Sequence, residues 1–192
     1  MHGAIFWVPY SIIIAKSTYS RLLAMTLRYL SLSFLILVTS HSVAQPKHGH
    51  AHEHGKGRLE ISVNANQAIG KLKIPLEALV GFERAPKTEA ETNAINTMNQ
   101  KLQNPGSYFV ANKDAECSPK LISSTIVRDQ AGKHADLDYQ FDLNCAKLVS
   151  LKQLSIDLFA EYKRLKEIRV ESVGPWGQKS VTAKRDSSTV RF

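Results

Sequence analysis

The chain has 192 residues, with 25 Lys and Arg against 17 Asp and Glu, which gives a formal net charge of +8. This length is sufficient for one domain with a sizeable core. The excess of positive charge is mild, and no basic helix or run of Lys and Arg interleaved with aromatic residues occurs. The composition therefore gives little support to nucleic-acid binding.

The segment 25–44 has the pattern of a secretory signal peptide. Arg28 supplies a basic start, an apolar stretch follows over residues 30–38, and two small residues precede a predicted cleavage before Gln45. The apolar stretch is roughly half as long as a membrane-spanning helix requires. A removable export signal is therefore favoured over a permanent membrane anchor.

These features predict three parts of the chain. Residues 1–44 form an upstream extension plus the signal peptide, which are removed on export, and residues 45–57 form a flexible His-rich metal-binding tail. Residues 58–192 form the folded domain. Removing residues 1–44 takes away three basic residues and no acidic one, so the formal charge falls from +8 to +5.

The two cysteines, Cys117 and Cys145, both lie in the exported part of the chain. An oxidising compartment favours a disulfide between them, whereas two thiolate metal ligands would need a reducing environment. A bridge that closes a loop of about 28 residues stabilises the fold by roughly 3 kcal/mol on the chain-entropy argument.

The domain begins with a predicted β-hairpin. From Arg58 onward, Leu59, Ile61 and Val63 alternate with polar residues, which is the period of a half-buried strand. A polar turn follows, and a second alternating run continues through residues 72–75.

A helix is predicted over residues 89–103. Thr88 and Glu91 have the spacing of a capping box, and the Asn-Pro-Gly sequence at 104–106 is typical of a helix end. The apolar stripe on one face of this helix, which is most simply core packing, consists of Ala94, Ile95, Met98 and Leu102.

The second half of the sequence predicts mainly strands. Residues 121–129 can pair through a Gln-Ala-Gly-Lys turn with residues 135–145, where apolar and polar residues alternate without a break. Further strands are expected over 152–159, 167–173 and 179–185, with a short helical turn over residues 160–165. The predicted fold is a single α+β domain, mainly antiparallel β-sheet with one substantial helix.

The candidate metal ligands begin with the His-rich segment. Neutral imidazole nitrogens are preferred ligands of Zn²⁺, and Ni²⁺ and Cu²⁺ accept them as well. In an extended chain, alternate residues are about 6.5 to 7 Å apart, so neighbouring histidines share one ion only if the chain bends. The alternative is a disordered tail that binds metal loosely or not at all. The histidines in question are His48, His50, His52 and His54.

A second candidate metal site lies at the start of the regularly alternating strand predicted over residues 135–145. The alternation places His134 and Asp136 on one face of the strand, where they could add an imidazole and a carboxylate to a metal delivered by the tail. The alternative is a histidine beside a turn and an aspartate on a solvated sheet face. Both interpretations stay open on the sequence.

The sequence contains no recognisable enzyme motif. A nucleophile beside a base, an HExxH sequence and a Gly-rich phosphate loop are all missing from it. We therefore expect a protein without catalytic activity.

The order of several blocks is similar to that of a known family. "HEHGKGRLEISV", "VGFERAP", "HADLDYQFDLNC" and "GPWGQ" occur in the same order as in the ZrgA-like zinc-regulated periplasmic proteins. The resemblance implies a Gram-negative periplasmic protein that binds zinc and assists its uptake, as the soluble component of a membrane import complex. The amino-terminal histidines of the family correspond to residues 48–54, and the histidine before its cysteine strand corresponds to His134.

One departure from the family concerns the block after the hairpin. Relatives often carry histidine where this chain has Arg84, which would remove one donor unless Glu83 substitutes for it. The alternative to zinc delivery is an exported structural or interaction domain whose tail is a passive metal buffer.

Overall fold

The computed structural model of the protein describes residues 53–192. The predicted signal peptide and three of the tail histidines, His48, His50 and His52, lie outside this part of the chain.

The described part contains three helices, three short 3-10 turns and nine strands. The helices are α1 (Leu76–Val80), α2 (Glu89–Lys101) and α3 (Leu158–Glu161). The 3-10 turns span Pro105–Ser107, Lys113–Ala115 and Leu148–Ser150. The strands are β1 (Lys56–Val63), β2 (Ala68–Pro75), β3 (Phe109–Ala111), β4 (Lys120–Arg128), β5 (Ala135–Asp142), β6 (Gln153–Ile156), β7 (Glu167–Gly174), β8 (Gly177–Lys184) and β9 (Thr189–Arg191).

The strands form two sheets. The larger has six strands in the order β4-β5-β2-β1-β7-β8, and the smaller has three in the order β3-β6-β9. Every pair of neighbouring strands is antiparallel except β1 with β7, which is parallel. A parallel pair requires a long connection, and here every element from β2 to α3 lies between β1 and β7 in the chain. The predicted α+β class is confirmed, with a second sheet that the sequence pattern did not separate from the first.

The predicted hairpin, β1 and β2, and the regularly alternating strand β5 lie next to one another in the larger sheet. Leu59 of β1 lies opposite Leu72 of β2, and Leu72 lies opposite Tyr139 of β5. All three side chains are buried. The period-2 pattern thus directs one face of three adjacent strands into a common core.

Helix α2 confirms the predicted helix and its start. The Oγ1 atom of Thr88 accepts a hydrogen bond from the N–H of Glu91 at 3.2 Å. The carboxylate of Glu91 reaches back to the N–H of Lys87 at 2.6 Å. At the other end, Met98 and Leu102 are buried, as the apolar stripe predicted.

The two sheets meet at an aromatic contact. The rings of Phe109 on β3 and Phe141 on β5 stack with their centroids 4.1 Å apart. A Cβ atom at Gly70 of β2 would lie 2.3 Å from the ring of Phe141, so this strand position requires glycine. Close approach at this point joins the smaller sheet to the buried face of the larger one.

The predicted disulfide is present. Cys117 and Cys145 are bonded, and their backbones also form an isolated antiparallel bridge. The bond ties the segment before β4 to the segment after β5, at the end of the strand pair that is remote from His134.

Candidate metal centre

His134 lies at the turn that joins β4 to β5, immediately before the first residue of β5. Its carbonyl oxygen accepts a hydrogen bond from the N–H of Asp129 at 3.0 Å, which closes the turn. The imidazole is partly accessible, with 44% of the side chain exposed. The sheet therefore fixes the backbone of this histidine while its ring reaches solvent.

The ring contacts a carboxylate that is distant in the sequence. Helix α1 ends at Gly81, which has a φ angle of 92° and donates its N–H to the carbonyl of Glu77 at 2.9 Å. The chain then brings Glu83 against the turn, where its Oε2 atom lies 2.7 Å from Nδ1 of His134. Glu83 is only 8% exposed.

This contact selects one form of the imidazole. An ionised carboxylate can only accept a hydrogen bond, so a neutral His134 ring that bonds an ionised Glu83 carries its proton on Nδ1. Nε2 is then the nitrogen with a lone pair to give to a metal. A carboxylate behind a histidine in this way fixes the orientation of the ring and raises its basicity as a ligand.

The second carboxylate oxygen of Glu83 adds to the polarity of the site. Oε1 is buried, and no described group hydrogen-bonds it. A buried carboxylate with one hydrogen-bonded oxygen is strongly disfavoured unless positive charge lies close to it. The guanidinium of Arg128, which donates a hydrogen bond to the carbonyl oxygen of Glu83, already places one positive charge at this residue, and a cation bound by the imidazole would add a second.

Arg84, where the family resemblance leads us to expect a histidine donor, contacts a different partner. Its guanidinium bonds both oxygens of Glu91, at 2.6 and 2.9 Å, and lies 5.5 Å from the centroid of the Phe82 ring. The bond from Arg84 is the largest cause that lowers the pKa of Glu91, to about 2. Arg84 therefore organises the loop instead of contributing a donor.

His54, the one tail histidine in the described part, lies beside a second carboxylate. Its Nδ1 atom is 3.5 Å from Oε2 of Glu77, and its side chain is 68% exposed. Glu77 also contacts Arg164, with Nη1 3.4 Å from Oε1. The neighbouring Gly55, at φ 77°, accepts a hydrogen bond from the N–H of Lys166 at 2.8 Å. These contacts fix the point at which the tail joins the domain.

Asp136 lies in a setting that the sequence pattern did not predict. Instead of a solvated face, it occupies a buried position, 6% exposed, and its Oδ2 is 3.2 Å from Nζ of Lys73 on β2. This ion pair already supplies a cation to the carboxylate.

The structure therefore brings together one pair that the sequence did not favour. Among residues 53–192, no group of three or more His, Cys, Asp or Glu side chains is arranged to hold a metal ion. On the sequence alone, Glu83 is only a substitute donor for the position of Arg84. The one sequence feature that could have pointed to Glu83 is its position inside the "VGFERAP" block, which belongs to the family resemblance.

These observations describe a small β-rich domain with a carboxylate-oriented histidine at one end of its larger sheet and a His-rich segment before its first strand. A family model described as "ZrgA family zinc uptake protein" matches residues 51–192. The chain belongs to this family, as the order of its sequence blocks predicted. A search of the curated proteins found no match to the chain. None of the helices formed by residues 53–192 is long and apolar enough to cross a membrane.

Proposed function

We propose that the protein binds zinc in the periplasm and assists its uptake by delivering the ion to a membrane import complex, without catalysing a reaction. The observation that carries the proposal is the 2.7 Å contact between Glu83 and His134, because it prepares one imidazole as a metal ligand. The membership of the chain in a zinc uptake family supports the choice of ion.

In this proposal the domain and the tail share the ion. Zinc in proteins takes about four ligands, and His134 supplies one that is fixed in advance by the sheet. The remaining donors come from the tail: His48, His50, His52 and His54. A ligand that is already ordered reduces the entropy lost on binding, so the combined site binds more tightly than a free His-rich peptide.

Asp136 has a secondary place in the donor set. Its carboxylate is ion-paired with Lys73, so it reaches a metal only when that pair opens. Imidazole donors also accept Ni²⁺ and Cu²⁺, and Cu²⁺ exceeds Zn²⁺ in intrinsic affinity for such sites. Selection for zinc then depends on metal availability in the periplasm and on the geometry that the tail adopts around the ion.

The proposal divides the chain into three parts, starting from the predicted export signal. Residues 1–44 are removed, residues 45–57 form the metal-binding tail up to and including the first two residues of β1, and residues 58–192 form the rest of the domain, which presents His134. An ion held partly by a tail is suited to release, because the tail ligands can leave one at a time. This mode of binding fits delivery better than permanent storage.

Zinc titration by calorimetry tests the proposal. The chain that begins at Gln45 is compared with a chain that begins at Gly55, which keeps the backbone contact between Gly55 and Lys166. We expect the longer chain to bind one zinc ion more tightly than a peptide of residues 45–54 alone, and the shorter chain to bind weakly at best, since it keeps only His134 of the proposed donors. Equal affinities of the longer chain and the isolated tail peptide would favour an interaction domain with a passive metal-buffering tail.

A further inference from the structure

We propose that Glu91 of helix α2 is a positioning residue for the zinc site, because it holds the loop that carries Glu83 and thereby sets the contact between Glu83 and His134. This inference rests on the proposed function, since it assigns a role within the same site. Glu91 bonds Arg84 and Lys87 of this loop, and its proposed effect on the imidazole is exerted through them.

Three donors from the loop converge on the Glu91 carboxylate. Nη1 and Nη2 of Arg84 lie 2.9 and 2.6 Å from its two oxygens, and the N–H of Lys87 lies 2.6 Å from Oε2. A bidentate bond between guanidinium and carboxylate fixes both distance and orientation. The residues that flank Glu83 on its carboxyl-terminal side are thus bonded to the first turn of the helix.

The loop is also held from the opposite side. The guanidinium of Arg128, at the end of β4, donates a hydrogen bond to the carbonyl oxygen of Glu83. Strand β4 pairs with β5, which follows His134 directly. The backbone of Glu83 is therefore fixed between the helix and the same strand pair that carries the histidine.

The buried carboxylate needs such a restraint. Glu83 is 8% exposed, and one of its two oxygens has no hydrogen-bond partner among the described residues. Hydration of a carboxylate is favourable enough that an unrestrained loop would turn this side chain toward water. The bonds to Glu91 oppose that movement, and the pKa of Glu91, lowered to about 2, keeps its carboxylate ionised at any periplasmic pH.

An effect of Glu91→Gln on zinc binding could also come from the loss of a negative charge at the start of helix α2. Negative charge in the first turn stabilises a helix whether or not it bonds a loop. Glu89 occupies the same turn and is exposed, so Glu89→Gln removes the same charge from α2. It is therefore the matched control for Glu91→Gln.

The experiment measures zinc affinity by calorimetry in the chain that begins at Gln45, together with the ¹⁵N spectrum of the His134 ring in the zinc-free protein. We expect Glu91→Gln to weaken the tightest zinc site about fivefold, less than the tenfold or more of a direct partner's loss, and to lower the fraction of the Nδ1–H tautomer. Glu89→Gln should leave both unchanged.

Equal affinity and equal tautomer fractions in the Glu91 and Glu89 variants would overturn the inference. If His134→Ala weakens binding while Glu91→Gln does not, the zinc site stands and only the positioning role fails. If His134→Ala also has no effect, the zinc site itself fails. Should Glu91→Gln not fold, Arg84→Gln removes the bidentate bond and leaves the helix charge in place, with the same expected results.

Discussion

The carboxylate of Glu83 and the imidazole of His134 lie 2.7 Å apart, although 51 residues separate them in the chain. Helix α1 and its glycine cap direct the first residue, and the turn between β4 and β5 directs the second. The contact is therefore a product of the fold, and its consequences for zinc binding and for stability can be measured separately.

Replacing Glu83 by glutamine is expected to separate affinity from stability. Loss of the carboxylate removes the group that orients the His134 ring, so zinc affinity should fall about tenfold. The free energy of unfolding of the zinc-free protein should stay the same or rise, because a neutral amide is easier to bury than an ionised carboxylate. Calorimetry and urea unfolding measure the two quantities. A variant with unchanged affinity but lower stability would contradict this expectation.

Zinc loading is expected to decrease as the pH falls through about 6. Histidine side chains generally titrate near pH 6.5, and an imidazole must lose its proton before it can bind a metal. Zinc titrations at several pH values between 7.5 and 5.5 measure the decrease. Constant affinity over this range would show that carboxylates, not histidines, are the main donors.

The loop bonds at Glu91 should not contribute to this pH dependence. The pKa of Glu91 is lowered from 4.5 to about 2, mainly by its hydrogen bond from Arg84. A lowered pKa gives a stabilisation that is present above about pH 4.5 and is lost as the pH falls toward 2. The difference in melting temperature between the zinc-free protein and its Glu91→Gln variant should therefore stay constant from pH 7.5 to 5.5. A difference that shrinks within this interval would contradict the assignment.

The disulfide is expected to stabilise the domain without affecting the metal. A double variant with serine at Cys117 and Cys145 should lose about 3 kcal/mol of unfolding free energy, since the bond closes a loop with a separation of 28 residues. Strand β5 has 8 residues, so its two ends are roughly 23 Å apart at about 3.3 Å per residue. Zinc affinity should therefore match that of the disulfide-bonded protein. A parallel loss of affinity would show that the two ends of β5 are coupled.

The periodic elements of this fold could be predicted from the sequence, because alternation and capping are local signals. Leu59, Leu72 and Tyr139 were assigned to buried strand faces from period 2 alone, and Thr88 identified the start of α2. The parallel pairing of β1 with β7 could not be predicted in this way, since it depends on how a long connection packs.

In the candidate site, too, local features could be predicted from the sequence and contacts between distant residues could not. His134 was identified because it opens a regular strand and carries a metal-binding side chain. Glu83 was undervalued, because its burial depends on contacts with Arg128 and His134, which are 45 and 51 residues away. Asp136 is a candidate metal ligand or a solvated residue on the sequence alone, and its burial and its ion pair with Lys73 depend on a contact between different strands.

The most direct test of the central claim is the zinc affinity of His134→Ala in the chain that begins at Gln45. Loss of a ligand fixed by the sheet should weaken the tightest site by about tenfold or more. The zinc-free variant should keep its fold but melt at a lower temperature, because the buried Glu83 carboxylate loses the imidazole that bonds its Oε2 atom. An unchanged zinc affinity would contradict the account and would leave the tail as the only carrier of the metal.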